Sequence, residues 1–242
     1  MKTRKLALTS AFLALFASAC ATTQQVAVSD AGYCPFLGSA LCAQLTKTGT
    51  PGRFSGGEKS EGGTALADLR YLNPSAQWAK YDKVMIAPVT YWAADDSNIS
   101  PESQHMLTDF CQQALYTHLS TKYQVVREPG PGVMLVQVAL VDASGAVPVL
   151  RTISMLIPQA RALATLKYLA TGTYAFVGSA EAEAKIADSQ THQVLAAGVD
   201  KRVGGGSLAT AAQWKWGDAE NAITDWAQQL TSRLTELKAG KG

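Results

Sequence analysis

The sequence is poor in the features that usually announce a chemistry. Four cysteines in 242 residues are too few for a small domain built on disulfides. Only 17% of the residues are Asp, Glu, Lys or Arg, with no long run of one sign, which argues against wholesale disorder and against a dedicated nucleic-acid binder. There are three histidines. His105 and His118 are 13 residues apart on one predicted helix and, at about 100° per residue, point to different faces; His192 falls in a predicted turn. No Cys or His pair has zinc-finger or zincin spacing, so neither a metal nor a cofactor is expected. No apolar stretch reaches the roughly 20 residues of a membrane-spanning helix. What the chain does have is a 47% hydrophobic content, enough to bury a real core.

The first residues speak to location. Lys2, Arg4 and Lys5 precede an uncharged, mostly apolar stretch, Leu6 to Ala19, that ends in Ala17-Ser18-Ala19. A basic start, a short apolar middle and small terminal residues make an export signal over residues 1–19. Cys20 follows directly, and the junction resembles the lipobox of bacterial lipoproteins, in which the cysteine is acylated and becomes the new N-terminus. Ala17 stands where that motif usually has Leu. The alternative is an ordinary signal peptide cut after Ala19. Ala21, in place of Asp, implies by the same resemblance an outer-membrane destination facing the periplasm. Loss of residues 1–19 takes three of the 21 bases and leaves 18 against 19 acids, a net charge of −1. An electrostatic hold on DNA or anionic headgroups then loses its support, and acyl chains would supply the anchor at roughly 0.8 kcal/mol per buried methylene.

Residues 21 to 32 are small and polar without periodicity and read as a tether, about 40 Å long if fully extended. Cys34 and Cys42 form a candidate disulfide in an exported chain, the alternative being two free thiols. Residues 46 to 64 read as a Gly/Ser/Thr-rich linker, completing a lipid-proximal segment over residues 20–64. A folded domain is expected over residues 65–242. Lys83 to Val89 reads as a strand limited by Pro88. Ser100-Pro101-Glu102 opens a helix to about Thr121, with Leu107, Phe110, Cys111, Ala114 and His118 on one face. Tyr123 to Arg127 is a short strand, residues 128 to 132 a turn, and Val133 to Val141 a central strand buried on both faces. From Tyr174 to Val203 the period is two, predicting a hairpin with one wet face that turns at Asp188 to Thr191. Asp218 is expected to cap a last helix whose stripe runs through Ala222, Ile223, Trp226, Leu230, Leu234 and Leu237. The expected fold is α+β: a small, mostly antiparallel sheet with two long helices packed on it.

Candidate catalytic groups have bland readings beside them. Cys111 and His118 share a helix face but stand roughly 10 Å apart along its axis, too far for a nucleophile and its base. Glu181 and Glu183 point the same way, about 7 Å apart, a separation that glycosidases use. With Lys185, Lys201 and Arg202 on the same hairpin, a solvated, charge-paired strand face explains them. Trp214-Lys215-Trp216 reads as packing at the start of the last helix. Residues 147 to 169 are apolar and lightly basic, interrupted by Pro148 and Pro158, and suit docking on the sheet or contact with a membrane or partner.

Several short motifs, taken together, carry a resemblance. Tyr71-Leu72-Asn73-Pro74, Tyr81-Asp82-Lys83-Val84, Pro88-Val89-Thr90, Gly130-Pro131-Gly132-Val133, Gly178, Asp188-Ser189, Val199-Asp200-Lys201-Arg202 and Trp216-Gly217-Asp218 resemble a bacterial lipoprotein family known as domain of unknown function 3313. Phe36-Leu37-Gly38 is similar to that family's opening segment. Gln190-Thr191-His192 departs from it where the turn would usually hold a glycine. The resemblance implies a lipid-anchored periplasmic domain and assigns no catalytic residues.

The expectation is therefore a non-enzymatic outer-membrane lipoprotein, held to the membrane through Cys20, with an envelope protein as partner and no role in nucleic-acid binding. The alternative is a lipid or small-molecule carrier with a pocket between the sheet and residues 147–169. A hydrolase using Glu181 and Glu183 is the third reading.

Overall fold

A computed structural model describes residues 23–26, 28, 34–48, 67–92, 99–144, 178–204 and 215–241. Its elements run in the order β1 (Thr23–Val26), α1 (Ser39–Cys42), β2 (Thr46–Lys47), β3 (Leu69–Leu72), a 3-10 turn (Trp78–Lys80), β4 (Lys83–Ile86), β5 (Thr90–Tyr91), α2 (Pro101–Leu119), β6 (Gln124–Val125), β7 (Val133–Ser144), β8 (Ser179–Asp188), β9 (Val194–Gly204) and α3 (Gly217–Lys238). The expected α+β class holds, and the sheet is mixed. Its main path is β2-β3-β9-β8-β7-β4-β6, with β1 pairing β9 and β5 pairing β7. The pairs from β2 to β7 along the path are antiparallel, whereas β7 meets β4 and β5 in parallel. The parallel pairing follows from α2, which carries the chain over the sheet between β4 and β6.

The long elements form where the sequence period demands them. The apolar run of β7 lies between β8 and β4 and buries Met134, Val136, Val138 and Leu140. Ser100 caps α2 by accepting a hydrogen bond from the Ser103 N–H, and Pro101 takes the first helical position. The buried stripe of α2 is Leu107, Cys111, Leu115 and Leu119, one residue round from the predicted face, so half-buried His118 sits at its edge. Pro88 follows β4 as expected, and the strand stops at Ile86.

Both long helices pack on one sheet face. A single core joins Leu107, Leu115 and Leu119 of α2 to Val136, Ile186 and Leu195 of the sheet and Ile223 and Leu234 of α3. A smaller core occupies the opposite face, where Cys34, Leu37 and Cys42 cover Leu69, Ala197 and Val199. Three expectations change here. Residues 23–26, inside the segment read as a tether, form β1 in register with Lys201 to Gly204. Thr46 and Lys47, read as the start of a linker, form β2 on β3. The sheet thus reaches back across the boundary placed at residue 65, because β3 and β9 present backbone donors and acceptors that need partners. The hairpin face predicted to be wet is covered by the disulfide segment.

Asp218 does not cap α3. Trp216 holds that position without a side-chain bond, and Asp218 lies in the first turn, where its carboxylate accepts from the Gly178 N–H at 2.8 Å. The Gly204 N–H in turn donates to the Gly178 carbonyl at 2.9 Å. A β-carbon on Gly204 would collide with the Asp218 carboxyl, which explains a glycine at this crossing. Gly204→Ala is therefore expected to lower stability by about 1–3 kcal/mol, measured by urea unfolding; an unchanged midpoint would refute the packing argument.

Candidate functional site

Buried carboxylates gather partners at three places, two of them in the family-like motifs, and each place is built from residues far apart in sequence. The first is Asp200, 5% exposed on the helix-facing side of β9. Its Oδ1 accepts from the Gln25 side-chain amide of β1 and from the Asp68 N–H, the latter at 3.2 Å. Its Oδ2 accepts from Arg202 Nε at 3.0 Å and from the indole N–H of Trp226 at 2.7 Å. Arg202 extends the network to the Gln229 side chain and the Asp225 carboxylate of α3. The Asp68 carboxylate accepts from the Val28 N–H at 3.0 Å. One buried carboxylate thus joins β1, the start of β3, β9 and α3.

The second is Asp188 at the far end of β8. Its Oδ1 accepts from the Gln190 and Thr191 N–H groups at 3.0 Å each, and its Oδ2 from the Tyr81 hydroxyl at 2.8 Å, with Lys80 Nζ at 3.2 Å. Burial raises the pKa of this carboxyl. The Thr191 N–H, Tyr81, the Gln190 N–H and Lys80 together outweigh that and hold it well below the usual carboxylate range. Ser189 beside it exchanges hydrogen bonds with both the N–H and the carbonyl of Gly130. Gly132, at φ 72°, lies so close to the Lys80 carbonyl that a β-carbon would meet it at 2.9 Å. His192 takes φ 57° and so fills the left-handed position where the resemblance leads one to expect glycine; histidine is among the residues that tolerate it best.

The third is Glu183, and here the solvated-face reading fails. Glu183 is 1% exposed, because the disulfide segment lies over it. Its Oε2 accepts from the Phe36 and Leu37 N–H groups at 3.1 and 2.7 Å. Burial pushes its carboxyl above the ordinary 4.5, the two backbone donors pull it partly back, and neighbouring Glu181 adds to the rise. The pair proposed for hydrolysis therefore splits: Glu183 anchors the Cys34–Cys42 segment, and Glu181 pairs with Lys201 at 3.0 Å. Asp142 joins the same lysine at 3.4 Å, Lys185 stands over the Phe36 ring, and Arg202 belongs to the opposite face.

Cys34 and Cys42 are disulfide-bonded. Cys111 is a buried free thiol whose pKa burial pushes up to about 12, which makes it a poor nucleophile. His118 and His105 are not brought to it in any hydrogen bond among the described residues. Trp216 is 5% exposed within the main core; Trp214, Cys20 and residues 147–169 lie outside the described residues. Among the described residues no three His, Cys, Asp or Glu side chains form a group able to hold a metal, and no helix is long and apolar enough to cross a membrane.

The structure also holds a cavity that the sequence reading placed elsewhere. It measures about 180 Å³ and lies between the C-terminal half of α3 and strands β3, β9 and β8. Leu115, Ile186, Ile223, Leu230 and Leu234 form much of its wall. Arg70 and Arg233, both partly exposed, border it. Asp200, Arg202 and this cavity were missed as site features. A signal existed for the first two: they share a strand face with Ala196 and Gly198, and charges on an apolar face announce a buried pair.

These features define an α+β domain whose buried carboxylates staple distant segments together around an apolar cavity. The chain belongs to the DUF3313 family of proteins of unknown function, whose model matches residues 46–230. No curated protein matches it. Solved structures similar in part include the PelC dodecamer from Paraburkholderia phytofirmans, at 8% identity and TM-score 0.35 over 66% of this chain and 95% of that one. Another is protein XCC0632 from Xanthomonas campestris, of the DUF330 family, at 11% identity and TM-score 0.34 over 70% of this chain and 92% of that one. Likeness at this level carries no functional conclusion.

The two carboxylates should respond to pH with opposite sign. Raised in the folded state, Glu183 contributes stability below 4.5 that is lost as pH rises through its folded pKa. Depressed in the folded state, Asp188 contributes stability above 3.8 that is lost as pH falls through its folded pKa. At pH 7, Glu183→Gln, which keeps the acceptor and removes the charge, should leave stability unchanged or raised. Asp188→Asn should lose about 2–3 kcal/mol and with it the acid-sensitive phase. Urea unfolding at pH 7, 4 and 2 checks both, since the Asp188 phase lies below 3.8; a larger loss in Glu183→Gln than in Asp188→Asn contradicts the assignment.

Proposed function

We propose that this chain is a lipid-anchored periplasmic protein of the bacterial outer membrane that binds an envelope protein and catalyses no reaction. The observation that carries the reading is the Cys34–Cys42 disulfide seated on the sheet, since such a bond is formed and kept in an oxidising, exported compartment. It agrees with the basic and apolar residues 1–19 and the cysteine that follows them.

The fold gives the anchor a geometric consequence. Only Ala21 and Thr22 separate Cys20 from β1. Three residue steps span at most about 10 Å, so acylation of Cys20 would hold the β1–β9 end of the sheet against the bilayer. Thr23 pairs with Gly204, and Val203 with Ser179, which itself pairs with Ser144, so one row of the sheet would face the lipid. The Asp188 turn, at the other end of the ten-residue β8, would face away, some 30 Å further out at about 3.3 Å per residue.

The non-catalytic part of the reading is supported by the employment of the carboxylates. Asp188, Asp200, Glu181 and Glu183 each make the bonds that hold the fold together. A partner would then meet the exterior, where Trp92 and Tyr116 are the exposed large hydrophobic side chains among the described residues. Cys20→Ser tests the anchor: the protein should move from the membrane to the soluble fraction and lose the mass of its acyl chains. Unchanged fractionation and mass would overturn it. In-cell crosslinking of the tagged wild type should capture an envelope protein that an unrelated lipoprotein does not.

A further inference from the structure

The cavity beneath α3 has a feature that a packing defect does not require. Arg70, on the helix-facing side of β3, lines it, yet forms no ion pair with a carboxylate among the described residues. Leu69 before it is turned into the disulfide-side core, which places Arg70 on the cavity side by strand alternation. Arg233 lines the same space but is engaged by Glu236 at 3.2 Å and by the Lys241 carbonyl at 3.2 Å. Asp200, the acid that borders the cavity, is committed to Arg202 and Trp226. The site therefore offers an apolar interior, a cation without a partner acid among the described residues, and a second cation close by.

We propose that this cavity binds the alkyl chain of a fatty acid and that Arg70 receives its carboxylate. The size fits. An apolar cavity of about 150 Å³ accommodates benzene, so about 180 Å³ takes some seven or eight chain carbons, and the rest of the chain reaches the border where Arg70 stands. The apolar wall gives affinity and the guanidinium gives the choice of headgroup, through charge-assisted, bidentate hydrogen bonds to a planar carboxylate. The same geometry disfavours a cationic amphiphile. This inference goes beyond the anchor-and-partner reading and does not depend on it, because none of these residues involves Cys20.

The test uses the full chain carrying Cys20→Ser, so that no acyl anchor competes, and titrates alkyl carboxylates by calorimetry below their micellar concentrations. Saturable binding at one per chain is expected, strengthening roughly fourfold per methylene until the cavity is full. Decanol and decyltrimethylammonium serve as headgroup controls. Arg70→Gln should weaken decanoate tenfold or more and leave decanol unchanged, a split that loss of structure would not produce. Ala184→Phe, which fills the cavity from β8, should abolish both while keeping the thermal midpoint; Ala227→Leu fills it from α3 if that variant fails to fold. Absence of saturable decanoate binding, full binding in the filled variants, or equal weakening of decanol and decanoate by Arg70→Gln would overturn the proposal. So would binding of lysophosphatidylglycerol with decanoate excluded.

Discussion

A carboxylate buried between a sheet and a helix has to find its donors inside the protein, and Asp200 draws them from four separate segments. Gln25, the Asp68 backbone, Arg202 and Trp226 all converge on its two oxygens. The alternative, an ionised carboxyl without partners in that setting, costs several kcal/mol. The location of β1 and the seating of α3 on β9 are therefore linked: each contributes a donor that the other's position makes necessary. Apolar contact alone would let α3 slide or rotate on a surface rich in alanine. The directional bonds from Trp226 and Gln229 give it one register.

The same logic repeats at smaller scale along the sheet. Asp188 gathers Tyr81, Lys80 and two backbone donors at one end. Asp218 ties the start of α3 to Gly178 at the other. Glu183 fixes the disulfide segment to the second face. The short motifs that carry the family likeness are thus largely joints of the fold. Tyr81, Gly132, Asp188, Ser189 and Asp218 each have a contact that explains the residue type, without any appeal to catalysis.

Much of this architecture was legible in the sequence, for reasons that are physical. The two-residue period of β8 and β9, the unbroken apolar run of β7, and the Ser-Pro-Glu start of α2 each report a local constraint. The stripe of α3 does the same, and of the charge-paired hairpin face read from the sequence the pair Glu181 and Lys201 is present. What escaped were features set by distant chain. Thr23 to Val26 has no alternation, because a four-residue edge strand needs only a backbone to pair with. Glu183 looked solvated because the segment that buries it lies about 147 residues away in sequence. Asp218 had the sequence of a helix cap, but it lies inside the first turn and its carboxylate accepts instead from Gly178 across the domain. The cavity was invisible, since a cavity is a property of how well side chains from six elements fill the space between them.

If Asp200 is the joint that couples β1, β3, β9 and α3, its effect must be felt in all of them together. Native-state hydrogen exchange on Asp200→Asn tests this most directly. The account predicts that protection falls in parallel in residues 23–28, 67–72 and 222–234, while β4 and β7 keep theirs. Loss of protection confined to β9, with β1 and α3 exchanging as in the wild type, would contradict it.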